Sequence, residues 1–228
     1  MSCGTRLHSL FSDLDASLIN ELDVAKEVKT YSKGDYLFQE NDACHGMFCI
    51  SVGSVKLFKE GQLGKQSLLR IVNAGGVLGM RASIANQNYK ANAQALESTK
   101  VCRIPQSFFL NLMRRDPELS LKVSVHLATS LSQTEEMLSD LINQNVRQRV
   151  GHLIFSLSAN YGKHVGKKVV IELPLTRAEM ASMIGTTPET VMRVLSDFEQ
   201  HGYTSMEKKK IIIEDEGRLL REIEHFDH

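Results

Sequence analysis

A chain of 228 residues, 42% of them hydrophobic, is long enough for one or two domains that each bury a core. Its 27 basic and 27 acidic side chains cancel, so overall charge selects no class of partner. No apolar run approaches the roughly 18 residues of a membrane span, and residues 1–20 lack the unbroken apolar stretch of a secretory signal. The expectation is a cytoplasmic protein whose scattered cysteines (Cys3, Cys44, Cys49, Cys102) are thiols in a reducing compartment.

In chain order, the first helical pattern covers about Asp13–Ala25, with Leu18, Ile19, Leu22 and Val24 apolar. From about Val28 to Ile104 the pattern changes to short β-prone runs: Tyr36-Leu-Phe, Met47-Phe-Cys-Ile, Val55-Lys-Leu-Phe, Ser67-Leu-Leu-Arg-Ile-Val and Lys100-Val-Cys-Arg-Ile. Gly34, Gly46, Gly53, Gly61, Gly64, Gly75 and Gly76 punctuate them. Many short strands at close spacing predict an antiparallel β-barrel or jelly roll, which encloses a small ligand or none.

From Asp116-Pro117 the chain turns helical. Leu127, Leu131, Thr134, Leu138 and Leu141 step by four and three, the spacing of a coiled-coil seam. Two readings fit, a helix lying on its own barrel or a two-helix dimer seam, and the dimer is preferred for the reason given below. The helix ends near Asn143-Gln144-Asn145, and another covers Val146–Ala159.

Thr176 and Glu179 then have the spacing of a capping box. Met180, Ala181 and Ile184 share one face of a short helix, and Gly185 can take the positive φ that ends it. Thr187 as N-cap and Pro188 at the first helical position start a second helix with Val191, Val194, Leu195 and Phe198 buried, closed by Gly202. This is a helix-turn-helix. Its exposed face carries Glu189, Thr190, Met192 and Arg193 toward base edges, with Arg177, Thr186 and Thr187 placed to meet phosphates.

Beyond Gly202-Tyr203, two short strands flank a Glu207-Lys208-Lys209-Lys210 turn and end in Ile211-Ile212-Ile213. A hairpin there is a wing whose three lysines contact the phosphate backbone; standing alone, the run would read as a solvated turn. Charge is distributed accordingly. Val146–Ile213 holds 10 basic and 6 acidic residues, and Glu214–His228 holds 2 and 6. One helix-turn-helix reads few base pairs, whereas a two-fold dimer reads a palindrome, which favours the seam. No phosphate-binding P-loop, HExxH or Ser/His/Asp arrangement occurs, so no residue takes a catalytic role and an enzyme is not expected.

Taken together, the glycine-punctuated barrel, Ala93-Gln-Ala-Leu-Glu-Ser-Thr-Lys-Val-Cys-Arg-Ile-Pro105, the dimer helix and Pro188-Glu-Thr-Val-Met-Arg193 resemble the CRP/FNR family of bacterial transcription regulators. The resemblance spans nearly the whole chain and leans toward the FNR branch. It implies an effector-sensing barrel domain (1–115), a dimerisation helix (116–143) and a winged helix-turn-helix domain (144–228). The partners it implies are double-stranded DNA, a second copy of the chain and RNA polymerase. It places base reading on Glu189 and Arg193, consistent with glutamate accepting from a cytosine amine and arginine pairing with guanine. Met192 stands where FNR-type proteins have serine, and a TTGA-like inverted repeat is the expected site.

Departures from the family bear on the effector. Cyclic-AMP binders carry a Gly-Glu pair and an Arg-Ser pair; here the matching residues are Gly79-Met80 and Tyr89-Lys90. The ribose acceptor is missing and Lys90 lacks a guanidinium's two-pronged geometry, which argues against cyclic AMP. A different anion near Arg81 and Lys90, or two solvated charges, both fit. Cys102 resembles a cluster-ligating cysteine of FNR, but only Cys3 lies near the N-terminus, against a four-thiolate iron–sulfur cluster. His8, His45 and His126 are conceivable haem ligands without supporting spacing. The cofactor is unknown. A second function class stays open: a ligand-binding regulatory module acting mainly through protein partners.

Overall fold

The computed structural model describes residues 10–61, 66–172, 175–208 and 210–224. Cys3, His8, Gly64 and Lys209 lie outside the described residues. The chain divides into two compact units, 1–133 and 134–228.

The first unit opens with α1 (Ala16–Ala25). Its N-cap Asp15 accepts from the amides of Ser17 and Leu18, both at 2.8 Å, which satisfies two donors of the free first turn. Leu18 and Leu22 are buried, whereas Val24, read as part of the apolar face, is 87% exposed. Eight strands follow: β1 (Glu27–Tyr31), β2 (Tyr36–Phe38), β3 (Gly46–Val52), β4 (Ser54–Glu60), β5 (Gln66–Asn73), β6 (Val77–Leu78), β7 (Asn92–Ala95) and β8 (Thr99–Pro105). They form two four-stranded sheets, ordered β1-β8-β3-β6 and β2-β7-β4-β5, with antiparallel pairing throughout. The architecture is jelly-roll-like, with two sheets in place of a closed barrel.

Two short helices, α2 (Met80–Ala85) and α3 (Gln106–Arg115), precede the long α4 (Pro117–Asn143). Two apolar clusters hold the unit. One gathers Tyr31, Phe38, Phe48, Ile50, Val55 and Tyr89. The other seats α1, α3 and the first turns of α4 through Leu18, Leu22, Phe109, Leu119 and Val123. Arg115 adds a two-pronged pair to Glu21 of α1, at 2.5 and 2.8 Å. The unit boundary falls within α4, whose residues from Thr134 onward belong to the second unit.

The second unit continues with α5 (Val146–Tyr161), β9 (Gly162–Val165), β10 (Lys168–Glu172), α6 (Arg177–Met183), α7 (Pro188–Gln200), β11 (Thr204–Glu207), β12 (Lys210–Ile213) and α8 (Glu216–Glu224). Its antiparallel sheet is ordered β11-β12-β10-β9. The acidic tail is thus largely a helix. Leu219 and Ile223 of α8 are buried, and the Gln148 side-chain amide of α5 donates to the Ile223 carbonyl at 3.2 Å.

Candidate nucleic-acid interface and effector region

The turn between α6 and α7 is built by backbone bonds that the sequence prepares. Thr176 Oγ1 accepts from the Glu179 amide at 3.2 Å while Glu179 Oε2 accepts from the Thr176 amide at 2.8 Å, a reciprocal capping box. At the other end, Gly185 has φ 64° and the Thr186 amide reaches back to the Ala181 carbonyl at 3.0 Å, a Schellman closure. Thr187 Oγ1 then accepts from the Thr190 amide at 3.3 Å, with Pro188 leading α7. Gly202, φ 70°, repeats the Schellman pattern as the Tyr203 amide bonds the Phe198 carbonyl at 2.9 Å.

Packing decides which face of α7 is left outside. Val191, Leu195 and Phe198 are fully buried, Val194 is half-buried, and Ala181 lets α6 come close. Arg147 of α5 clamps the inner side: its guanidinium stacks 4.6 Å over the Phe198 ring, bonds Asp197, and pairs with Glu222 of α8 at 2.8 Å. Tyr203 donates to Glu222 at 2.8 Å. Burial opposes ionisation of Glu222, but the Tyr203 and Arg147 bonds hold its carboxyl below the ordinary value. The recognition helix is therefore anchored from three elements.

The opposite face is open. Glu189 and Arg193, one turn apart on α7, are exposed, and neither has an ion pair or hydrogen bond among the described residues. Met192 is 36% exposed, and Thr190 is half-buried with its hydroxyl 3.1 Å from that of Thr187. Arg177, at the start of α6, is half-buried, and its Nη1 is buried without a hydrogen-bond partner among the described residues. Thr186, in the turn between α6 and α7, is half-buried, and Thr187 is exposed.

The hairpin β11–β12 pairs Glu207 with Lys210. Lys208 takes φ 55°, a left-handed conformation suited to such a tight turn but unfavourable for a branched side chain. Lys210 pairs with Glu172 on β10 at 3.1 Å, so one of the three expected phosphate ligands already has a carboxylate beside it.

Of the five expected effector residues, Gly79 and Tyr89 are brought together by the fold, while Met80, Arg81 and Lys90 are their chain neighbours. Gly79 is the left-handed N-cap of α2, where a Cβ would stand 2.9 Å from the Gly46 carbonyl and 3.0 Å from the Tyr89 ring. Met80 is buried in the cluster that seats α1. Tyr89 belongs to the other cluster, stacked 3.9 Å from Phe38 and donating to the Gly46 carbonyl at 2.7 Å. Burial, reinforced by Cys44, pushes its hydroxyl pKa up, so it stays neutral. Arg81 and Lys90 are exposed. One basic group that sequence reading did not single out, Arg70, lies near Arg81, and His126 lies near Arg70. Burial, then the Arg81 charge, lowers the Arg70 pKa; burial, then Arg70, lowers that of His126.

Metal and haem readings gain nothing from the described residues. Cys49 and Cys102 are buried within β3 and β8, while Cys44 stands apart, 3.4 Å from the Ser83 hydroxyl. No group of three or more metal-ligating side chains occurs among the described residues, so a four-thiolate cluster does not fit them. His45 is exposed and His126 half-buried beside Arg70.

A jelly-roll-like unit followed by a winged helix-turn-helix defines an effector-binding domain joined to a DNA-binding domain. The sequence matches the cyclic nucleotide-binding domain family over residues 28–116 and the Crp-like helix-turn-helix domain family over residues 148–222. The chain belongs to the CRP/FNR family of transcription regulators, on its FNR-like side, and is a regulator rather than an enzyme. It is 28% identical to Electron transport regulator A of Shewanella oneidensis, over 90% of this chain and 82% of that one. It is 26% identical to the Fumarate and nitrate reduction regulatory protein of Vibrio cholerae, over 91% and 83%. Among solved structures, FixK2 of Bradyrhizobium japonicum superposes with TM-score 0.76 at 20% identity, covering 86% of this chain and 96% of that one. A CooA mutant of Carboxydothermus hydrogenoformans superposes with TM-score 0.76 at 22% identity, covering 98% and 96%.

Proposed function

We propose that the protein is a homodimeric, sequence-specific regulator that binds a TTGA-like palindrome through α7 and responds to an effector held by its N-terminal region. The observation that carries this is the open face of α7. Glu189 and Arg193 are exposed on a helix whose other side is locked by Arg147, Asp197 and Phe198, and their chemistry suits a cytosine amine and a guanine. In this reading Thr190 and Met192 complete the base-reading face, and Arg177, Thr186, Thr187, Lys208, Lys209 and Lys210 hold phosphates.

Dimerisation through residues 116–143 is supported by apolar side chains that the single chain leaves uncovered. Leu121, Val125 and Leu131 in the first unit are 65, 57 and 60% exposed; Leu138, Leu141 and Ile142 in the second are 58, 37 and 72% exposed. Leu127 packs inward instead, and Thr134 is exposed. Residues 1–115 then sense the effector, and residues 144–228 bind DNA. Gly79, Met80, Arg81, Tyr89 and Lys90 remain the effector reading, with an anion drawn to Arg81 and its basic neighbours. Action is cytoplasmic and includes contact with RNA polymerase. No helix among the described residues is long and apolar enough to cross a membrane. The deciding experiment is selection of DNA from a random library by protein purified without added ligand. An inverted repeat supports the reading, and loss of that repeat's preference in Arg193→Ala assigns it to α7. A protein-docking module would select no sequence in either form.

A further inference from the structure

Antiparallel strands β3 and β8 place Cys49 and Cys102 directly opposite one another. Both are buried, at 7 and 5% exposure, in one apolar cluster. Burial accounts for each cysteine separately, since cysteine is a common small core residue; it does not call for two of them in register. We propose that Cys49 and Cys102 form a reversible redox pair, closing a cross-strand disulfide in response to a peroxide.

Directly opposed residues carry their side chains on the same face, with Cα atoms about 4.5–5.5 Å apart, inside the about 4.4–6.8 Å that disulfides span. Opposed Cβ atoms stand about 4.5–5.5 Å apart, and a disulfide needs about 3.5–4.5 Å, so closure asks for a movement on the order of 1 Å. The strands supply it. The β3–β8 register shifts between Ile50 and Val52, immediately past Cys49, and such an irregularity lets one strand adjust against its partner. Cys44 is not an alternative partner by placement: it lies in the loop before β3, bonded to Ser83 and to the Gly46 carbonyl. The resemblance to FNR singles out Cys102 alone, whereas the register gives it a second thiol.

The chemistry balances with hydrogen peroxide as the oxidant. One thiol loses its proton and its sulfur attacks a peroxide oxygen; the O–O bond breaks, water leaves and a sulfenic acid remains. The opposed thiol then attacks that sulfur, the S–O bond breaks, and the hydroxide takes up the released proton to leave as a second water. A dithiol reverses the reaction by exchange. The same cluster contains Leu119 and Val123 of α4, so the linkage forms in the apolar layer that seats the start of that helix.

The test uses the full chain, reduced, then treated with hydrogen peroxide, denatured, alkylated and digested for mass spectrometry. The expected product is a linked peptide joining Cys49 and Cys102, lighter by the two hydrogens lost, and separated again by dithiothreitol. A chain carrying Cys3→Ser and Cys44→Ser is expected, after peroxide, to have neither remaining thiol open to alkylation while staying one chain on a non-reducing gel. Linkage of Cys102 to Cys3 or Cys44, a peroxide-dependent inter-chain link through Cys49 or Cys102, or full alkylation of both residues after peroxide would each overturn the proposal. Because the unaltered chain gives the primary result, the outcome does not depend on any variant folding.

Discussion

Arg149 of α5 donates from Nε to the Ile184 carbonyl at 3.0 Å, at the point where α6 ends and the helix-turn-helix turn begins. Its Nη1 reaches the Gln144 carbonyl at 2.7 Å and the Leu141 carbonyl at 3.3 Å, capping the end of α4. One guanidinium thus ties three segments of the second unit, satisfying carbonyls that a helix end leaves without partners. Arg149→Ala leaves those acceptors unpaired and is expected to destabilise the protein by about 1–3 kcal/mol. Urea unfolding checks this. Arg149→Lys, which keeps charge but lacks the fork, should recover only part of the loss.

Base reading by Arg193 makes a different prediction. Arg193→Ala is expected to leave the unfolding midpoint unchanged, because the side chain is exposed, while lowering affinity for the selected repeat by about tenfold to a hundredfold, or ~1–3 kcal/mol. Binding competition between the repeat and a scrambled duplex measures it. An equal loss on both duplexes would make Arg193 a phosphate ligand.

Lys208 is best altered to asparagine, which removes the charge and tolerates the left-handed backbone at φ 55°. Lys208→Asn should weaken binding alike on all sequences and reduce the slope of log affinity against log salt by about one. A changed sequence preference would mean that the wing reads bases.

The dimer is tested at Leu138, 58% exposed in the single chain. A glutamate there places a charge in the proposed seam, at no cost to a monomer. Leu138→Glu is expected to lower the sedimentation mass to that of one chain and to abolish preference for a palindrome over a half-site. An unchanged mass moves the interface elsewhere.

Acid should loosen the second unit. The Tyr203 and Arg147 bonds hold Glu222 below its ordinary 4.5 despite burial, and Lys210 and Lys168 likewise lower Glu172 and Glu214. A carboxylate with a depressed folded pKa contributes stability that is present above the unfolded value and lost as pH falls through the folded one. Thermal unfolding should therefore show a midpoint that falls below about pH 4.5, with a shallower fall in Glu222→Gln.

The helix-turn-helix was legible because its signals are local. The capping box of Thr176 and Glu179, the Gly185 turn and the Thr187-Pro188 start lie within a few residues of the bonds they make. The effector region was not legible in the same way. Met80 and Tyr89 are each apolar enough to join a packing layer, and which of the two clusters takes each is decided by the fold. The acidic tail hid a helix because its charge outweighs the two positions, Leu219 and Ile223, that bury it against α5.

From residue order alone follow the jelly-roll-like and winged-helix classes and the face of α7 that is exposed, products of caps, turns and short-range periodicity. Strand partners follow only from the folded chain. Nothing near Cys49 in sequence points to Cys102, nothing near Arg149 to Ile184, and nothing near Arg147 to Glu222. Those pairs join residues tens of positions apart, and sheet register and helix docking, which set them, depend on how distant apolar faces are buried against one another.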